Sequence, residues 1–200
     1  DKFHPECFAP YPEGFKTIKA NDFEALKGAF DDTTAALFME PIQGEGGGNL
    51  LNLEWAKAAA DAAHAAGAIV MCDEVQTGVG RTGTFLASDW LGINPEVVTL
   101  AKGIAAGVPM GACLFRGKAA DVFVAGDHQS TFAGNPLACS AGLVVLDTVS
   151  DPDFLDRVNY AGDYIRGRIT SWNLPIVKDV RGKGLMIGTQ IDPSVKPFDI

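Results

Sequence analysis

The strongest constraint on this chain is a pair of short apolar runs, each delivering a charged residue at its end. Ala68-Ile69-Val70-Met71-Cys72 runs straight into Asp73-Glu74, and Val97-Val98-Thr99-Leu100 leads through Ala101 to Lys102. Runs this short and this rich in β-branched residues favour buried strands over helices. A turn-rich loop and a short amphipathic segment lie between them, enough chain for a covered crossover. Strands joined in that way lie parallel in one sheet. Asp73 and Lys102 then leave the same carboxyl edge, where open α/β sheets bind their ligands.

A carboxylate and an amine at neighbouring strand ends can be an ion pair that closes a sheet edge. The surroundings of Lys102 favour chemistry instead, since no charged residue follows it until Arg116. A lysine in such apolar sequence is expected to be desolvated, which lowers its pKa and makes it a nucleophile suited to Schiff-base formation. A strand-end aspartate beside it is the arrangement that pyridoxal 5'-phosphate requires. The carboxylate keeps the pyridine nitrogen protonated and the lysine carries the aldehyde.

Bulk properties remove several other classes. Apolar residues make up 47% of the 200 and charged residues 20%, a balance that builds a globular core rather than a disordered chain. A net charge of −9 disfavours nucleic acid and anionic membranes as partners, which attract clustered Lys and Arg. No apolar run approaches the length of a bilayer span. Cys7, Cys72, Cys113 and Cys139 are too scattered for a zinc site or a disulfide framework and read as reduced core thiols of a cytoplasmic protein.

Taken in order, residues 1–20 are an extended connector rich in Pro and aromatics. Asn21-Asp22-Phe23-Glu24 is a capping-box pattern that opens a helix to about Phe30. Ala35 to Met39 is a buried strand. The glycine loop Gly44-Glu45-Gly46-Gly47-Gly48 then reads equally as a mobile surface loop or as a close approach to a ligand. An Ala-rich helix runs from Leu53 to Ala66 and stops at Gly67. His64 on it, and His4, carry no chemistry in this reading. Gly78-Val79-Gly80-Arg81-Thr82-Gly83 spells the dinucleotide fingerprint. That fingerprint needs a glycine directly after the strand and a helix opening within the motif. Here Asp73 to Thr77 intervene and the helical pattern starts only near Phe85, so the loop reads as a wall of the site. Gly111 to Phe115 is a further strand, antiparallel because little chain precedes it, followed by a short helix over 117–125. A helix then starts at Pro136, and ahead of it Ser130 and Thr131 are either capping residues or phosphate ligands. Phe154 to Ile169 is helical.

Several of these stretches together resemble one family. Met71 through Gly83, Leu100-Ala101-Lys102-Gly103 and Gly107 through Ala112 match class III pyridoxal-phosphate aminotransferases in order and spacing. Within that class, Met39 through Gly47 and Ser130 through Ala138 look most like the acetylornithine branch. The resemblance covers essentially the whole chain and implies an α/β architecture. Residues 1–150 would be part of a fold-type I large domain, a mostly parallel sheet with flanking helices. Residues 151–200 would be a linker helix and the start of a small C-terminal α+β domain around Arg181 to Gly188.

The resemblance also implies roles. Lys102 and Asp73 would be catalytic. Asp73, Glu74, Val75, Gln76, Lys102 and Thr131 would hold pyridoxal 5'-phosphate, Val75 packing on the ring and Gln76 reaching its phenolic oxygen. Glu45 would sit at the substrate entrance and Ser130 would touch substrate. Thr131 would reach the cofactor phosphate of a partner subunit, making a homodimer with shared sites. The reaction implied moves the δ-amino group of N2-acetyl-L-ornithine to 2-oxoglutarate in arginine biosynthesis. Other ω-aminotransferases, acting on ornithine, succinylornithine or 4-aminobutyrate, share these motifs, and a catalytically silent association module is the alternative from another class. Relative to the family the chain is about half length. The upstream phosphate cup and ring-stacking aromatic, and the downstream carboxylate-binding arginine, are not among its residues.

Overall fold

The computed structural model describes residues 8–195. A short helix, Phe23–Leu26 (α1), leads to strand Ala36–Met39 (β1) and to a small antiparallel ladder of Ile42–Gln43 (β2) with Asn49–Leu50 (β3). Helix Leu53–Ala65 (α2) then crosses to strand Ile69–Asp73 (β4), and helix Ala87–Leu91 (α3) crosses to Val97–Leu100 (β5). Strand Ala112–Phe115 (β6) completes a sheet in the order β1-β4-β5-β6. The first three strands are parallel, with Met39 beside Cys72 and Asp73 beside Thr99. As expected from its short connection, β6 is antiparallel, Ala112 lying beside Leu100.

Alternation along the strands decides what is buried. Leu37, Met39, Val70 and Cys72 face α2, whose Trp55, Ala56, Ala59, Ala60 and Ala63 recur at helical spacing. The small alanines let the helix sit close to the sheet, and Asn52 caps it by accepting from Trp55 N at 3.0 Å. Gly67, at φ 86°, ends it as anticipated. A second core gathers Val98, Leu100, Ile104 and Ala105 beneath helix Pro136–Val149 (α4). Buried strands were expected throughout, yet Phe38 of β1 is 60% exposed. A parallel sheet is normally covered by helices on both faces, and the described residues leave part of one face open.

Helix Pro152–Ser171 (α5) precedes an antiparallel hairpin, Val177–Lys183 (β7) and Met186–Ile191 (β8). Gly162 lets α5 press on the hairpin turn, since a Cβ there would overlap the Gly184 carbonyl.

Three local expectations need correction. The helix anticipated to Phe30 is one turn long. Asp22, not Asn21, caps it, and the chain leaves at Gly28 with φ 67°. Asn21 instead joins Leu50 O and Asn52 N, at 2.9 and 2.8 Å. The helix expected over 117–125 is a single 3₁₀ turn, Gly117–Ala119, because Phe123 is drawn edge-on to Phe115, with ring centres 5.2 Å apart. Cys113 is exposed rather than a core thiol, while Cys72 is buried and Cys139 half-buried. Cys7 and His4 lie outside the described residues. No helix among the described residues is long and apolar enough to cross a membrane.

Candidate active site

Parallel pairing of β4 with β5 brings the ends of both strands to one edge. There the Asp73 carboxylate is held through Oδ1, which accepts from Val75 N at 3.0 Å and from Thr99 Oγ1 at 3.2 Å. Among the described residues Oδ2 accepts no hydrogen bond and keeps its lone pairs for another donor. Asp73 and Lys102 form no ion pair among the described residues, so the sheet-edge pair considered from sequence is not what the two groups make. A cleft of about 320 Å³ opens at this edge, and Val75, Gln76, Arg81, Lys102 and Met186 are among its lining. Asp73 does not line it directly but stands two residues from Val75, which does.

Lys102 begins a 3₁₀ turn, Lys102–Ala105, with φ 49°. A side chain in left-handed backbone is uncommon and costs on the order of 1 kcal/mol or more, a cost that functional positions often carry. The expected desolvation is not present, because Lys102 is exposed. Its apolar neighbours Ile104 and Ala105 turn into the second core instead of packing around the amine.

Glu74, expected among the cofactor contacts, lies against the opening of α3. Glu74 is fully buried. Its carboxylate accepts from Ala87 N at 2.5 Å, from Ser88 N and Ser88 Oγ at 2.8 Å each, and from Thr77 Oγ1 at 3.3 Å. It satisfies the orphan N–H groups that open α3 and is occupied there. Next to it, burial and then the charges of Glu74 and Asp73 push the Cys72 thiol up to about 12. That thiol is not a nucleophile at neutral pH.

The glycines that imitate a dinucleotide fingerprint have other work. A Cβ on Gly78 would meet Leu100 Cδ2 at 2.7 Å, one on Gly80 would overlap Val149, and one on Gly83 would overlap the Asn159 side chain. Asn159 also donates to Gly83 O at 3.1 Å. These glycines seat the loop against β5, α4 and α5, and the wall reading holds. The Glu45 loop is likewise built rather than loose. Gly44 N donates to Glu40 Oε2 at 3.1 Å, Gly48 N to Gln43 O at 2.8 Å, and Asn49 Nδ2 to Gly46 O at 2.8 Å. Glu45 is exposed on this loop and does not line the cleft. Ser130 and Thr131 are exposed in the loop before α4, away from the cleft lining. Asn135 caps that helix through Ala138 N at 2.9 Å, and His128 packs near Phe123 with ring centres 6.0 Å apart.

Two residues were missed from sequence. Thr99 orients Asp73, and only the strand register could reveal it. Arg181 donates from Nε and Nη2 to Gly47 O at 3.0 and 2.7 Å, although the two residues are 134 positions apart.

The donor set fits a cationic aromatic ring bearing an aldehyde. A fixed carboxylate with a free oxygen, an apolar side chain, an amide and an amine converge on one edge. The chain belongs to the class-III aminotransferase family, whose model matches residues 3–198. It is 43% identical to an acetylornithine aminotransferase of Caldanaerobacter subterraneus over 96% of this chain and 49% of the relative. It is 38% identical to ornithine aminotransferase 2 of Staphylococcus aureus over 96% and 48%. Among solved structures, the ornithine aminotransferase of Toxoplasma gondii superposes with a TM-score of 0.89 at 36% identity, covering 96% of this chain and 46% of that one. The N-acetylornithine aminotransferase of Stenotrophomonas maltophilia gives 0.81 at 31% identity, covering 92% and 49%. The chain spans about half the length of the curated relatives it matches.

Proposed function

We propose that this chain is the lysine-bearing half of an aminotransferase and that its cleft takes pyridoxal 5'-phosphate. The observation that carries the reading is the Asp73 carboxylate, clamped on one oxygen and open on the other, on the strand beside the one that delivers Lys102. When bound, the cofactor supplies a cationic ring able to take up negative charge from a substrate carbon. Asp73 holds the proton at the ring nitrogen. Val75 would pack on the ring, and the Gln76 amide would donate to its phenolic oxygen, since both line the cleft. Lys102 would hold the aldehyde group of the bound cofactor, and its free amine would take and return a proton at the substrate carbon.

The proposed donor is N2-acetyl-L-ornithine and the acceptor 2-oxoglutarate, giving a semialdehyde and glutamate. Identity to the acetylornithine enzymes supports this. Ornithine is the second reading, supported by the Staphylococcus and Toxoplasma relatives. In the whole protein, which we place in the cytoplasm, Glu45 guards the entrance, and Ser130 and Thr131 serve a partner subunit's site across a two-fold interface. Residues 1–150 then belong to the large domain and 151–200 to the linker and small domain.

The test uses colour. Adding pyridoxal 5'-phosphate should give a visible band that amine substrate discharges, faster for acetylornithine than for ornithine. Borohydride added before any amine substrate should fix the label on Lys102. Protein that is colourless once unbound cofactor has been removed, or label on Lys57, Lys118 or Lys183, sinks the reading.

A further inference from the structure

We infer that Arg181 is a positioning residue for Gln76, acting across the fold through the glycine loop. Both Nε and Nη2 of its guanidinium grip the Gly47 carbonyl, a two-pronged, charge-assisted contact. Nη1 is anchored in turn by Asp179 Oδ2 at 2.7 Å and Gln190 Oε1 at 3.0 Å, so the group is fixed to the β7–β8 hairpin. At its other end the loop presses on the cleft. A Cβ at Gly44 would overlap the Gln76 amide carbon, nitrogen and oxygen at once, so the loop backbone lies directly against that side chain. Between these points the loop is tied by Gly47 N to Gly44 O, at 3.1 Å, and by Gly48 N to Gln43 O. A displacement at Gly47 is therefore passed to Gly44, and Gly44 backs Gln76.

The hairpin also contributes Leu185, Met186 and Ile187 to the same cleft. Arg181 thus fixes the glycine loop to the element that walls the cleft on the hairpin side. The glycine content of the loop follows from this. Gly44 lies too close to Gln76 for a side chain of its own, and Gly47, at φ 101°, needs the backbone freedom of glycine. The inference rests on reading the cleft as the cofactor site, but its first test does not.

That test is ligand-free. Hydrogen exchange at Gly47 and Gly48 should quicken roughly tenfold or more in Arg181→Met, as expected when a local anchor is lost. Val70 and Cys72, in the central sheet, should keep the exchange of the parent. The Gln76 side-chain amide resonances should shift and narrow, and Arg181→Lys, retaining a cation, should restore part of both signals. Unchanged loop exchange, or unmoved Gln76 resonances, overturns the proposal. The second arm titrates pyridoxal 5'-phosphate. Arg181→Met should weaken binding several-fold, and the double variant with Gln76→Ala should bind no worse than Gln76→Ala alone. Full additivity of the two losses also overturns the proposal. A parent chain that takes up no cofactor counts against the cleft reading, and the exchange and resonance data then decide the role of Arg181 independently.

Discussion

At the residue scale, two adjacent acids divide their labour. Asp73 keeps a free oxygen at the cleft edge, while Glu74 is buried and saturated by the start of α3. Asp73→Asn retains an oxygen able to accept from Thr99 and Val75, so the fold should hold and the melting temperature should stay close to the parent. The protonated ring loses its counter-charge, and the visible band with pyridoxal 5'-phosphate should weaken sharply. Glu74→Gln brings an N–H₂ group against donors. Buried groups left without partners cost roughly 1–3 kcal/mol each, and the variant should melt clearly lower while any correctly folded fraction still labels at Lys102. Equal, mild effects from both substitutions would remove Asp73 from the cofactor's ring nitrogen and Glu74 from the opening of α3.

At the scale of elements, α2 is pinned to the head of β5 through one carboxylate. Glu96 Oε2 accepts from Val70 N at 2.8 Å and meets His64 Nε2 at 3.1 Å. Burial pushes the Glu96 carboxyl up, but the Val70 N–H and the His64 ring outweigh it, leaving the group below its ordinary 4.5. A carboxyl depressed on folding stabilises the native state above its unfolded pKa, and that contribution is lost as pH falls through the lower folded value. Thermal stability of the parent should therefore decline below about pH 4.5 in part through Glu96. Glu96→Ala should be less stable at neutral pH by about 1–2 kcal/mol, for the stranded Val70 N–H, and should show a shallower acid decline. Melting curves from pH 3 to 7 (a window chosen to bracket carboxylate titration) check this, and parallel profiles would exclude Glu96 as a source. Gly83 offers a second element-level test. Its substitution by Ala should loosen the wall loop from α5, since a Cβ would overlap Asn159 and φ is 86°.

At the scale of the whole molecule, the chain carries apolar surface that nothing among its described residues covers. Leu137, Leu143 and Val144 on α4 are 72%, 61% and 66% exposed, and Phe38 opens the uncovered side of the sheet. Exposed apolar area of this kind marks association or aggregation. The chain on its own should bind a hydrophobic dye and scatter light increasingly with concentration. Leu143→Gln with Val144→Gln should reduce both while changing stability by only about 0.5 kcal/mol per site. A monodisperse, dye-negative parent would contradict that expectation.

Four strands of the main sheet, the parallel pairing of β4 with β5 and the edge holding Asp73 and Lys102 could be read directly from residues. Short β-branched runs, crossover length and antiparallel return are local properties of chain composition, and they suffice to place strand ends. The family motifs could be read for the same reason, being contiguous. Other features depend on distant segments meeting. Adjacent residues leave a strand on opposite sides, so which acid is consumed by the opening of α3 depends on where that helix starts. The three glycines of the imitation fingerprint find their reason only in Leu100, Val149 and Asn159. Lys102, apolar in its sequence surroundings, is nonetheless exposed, because the residues after it turn into a core of their own. The grip of Arg181 on Gly47 joins segments with no local signal linking them. Periodicity reports what a segment buries, but the partner of a buried or polar group is settled by packing in three dimensions.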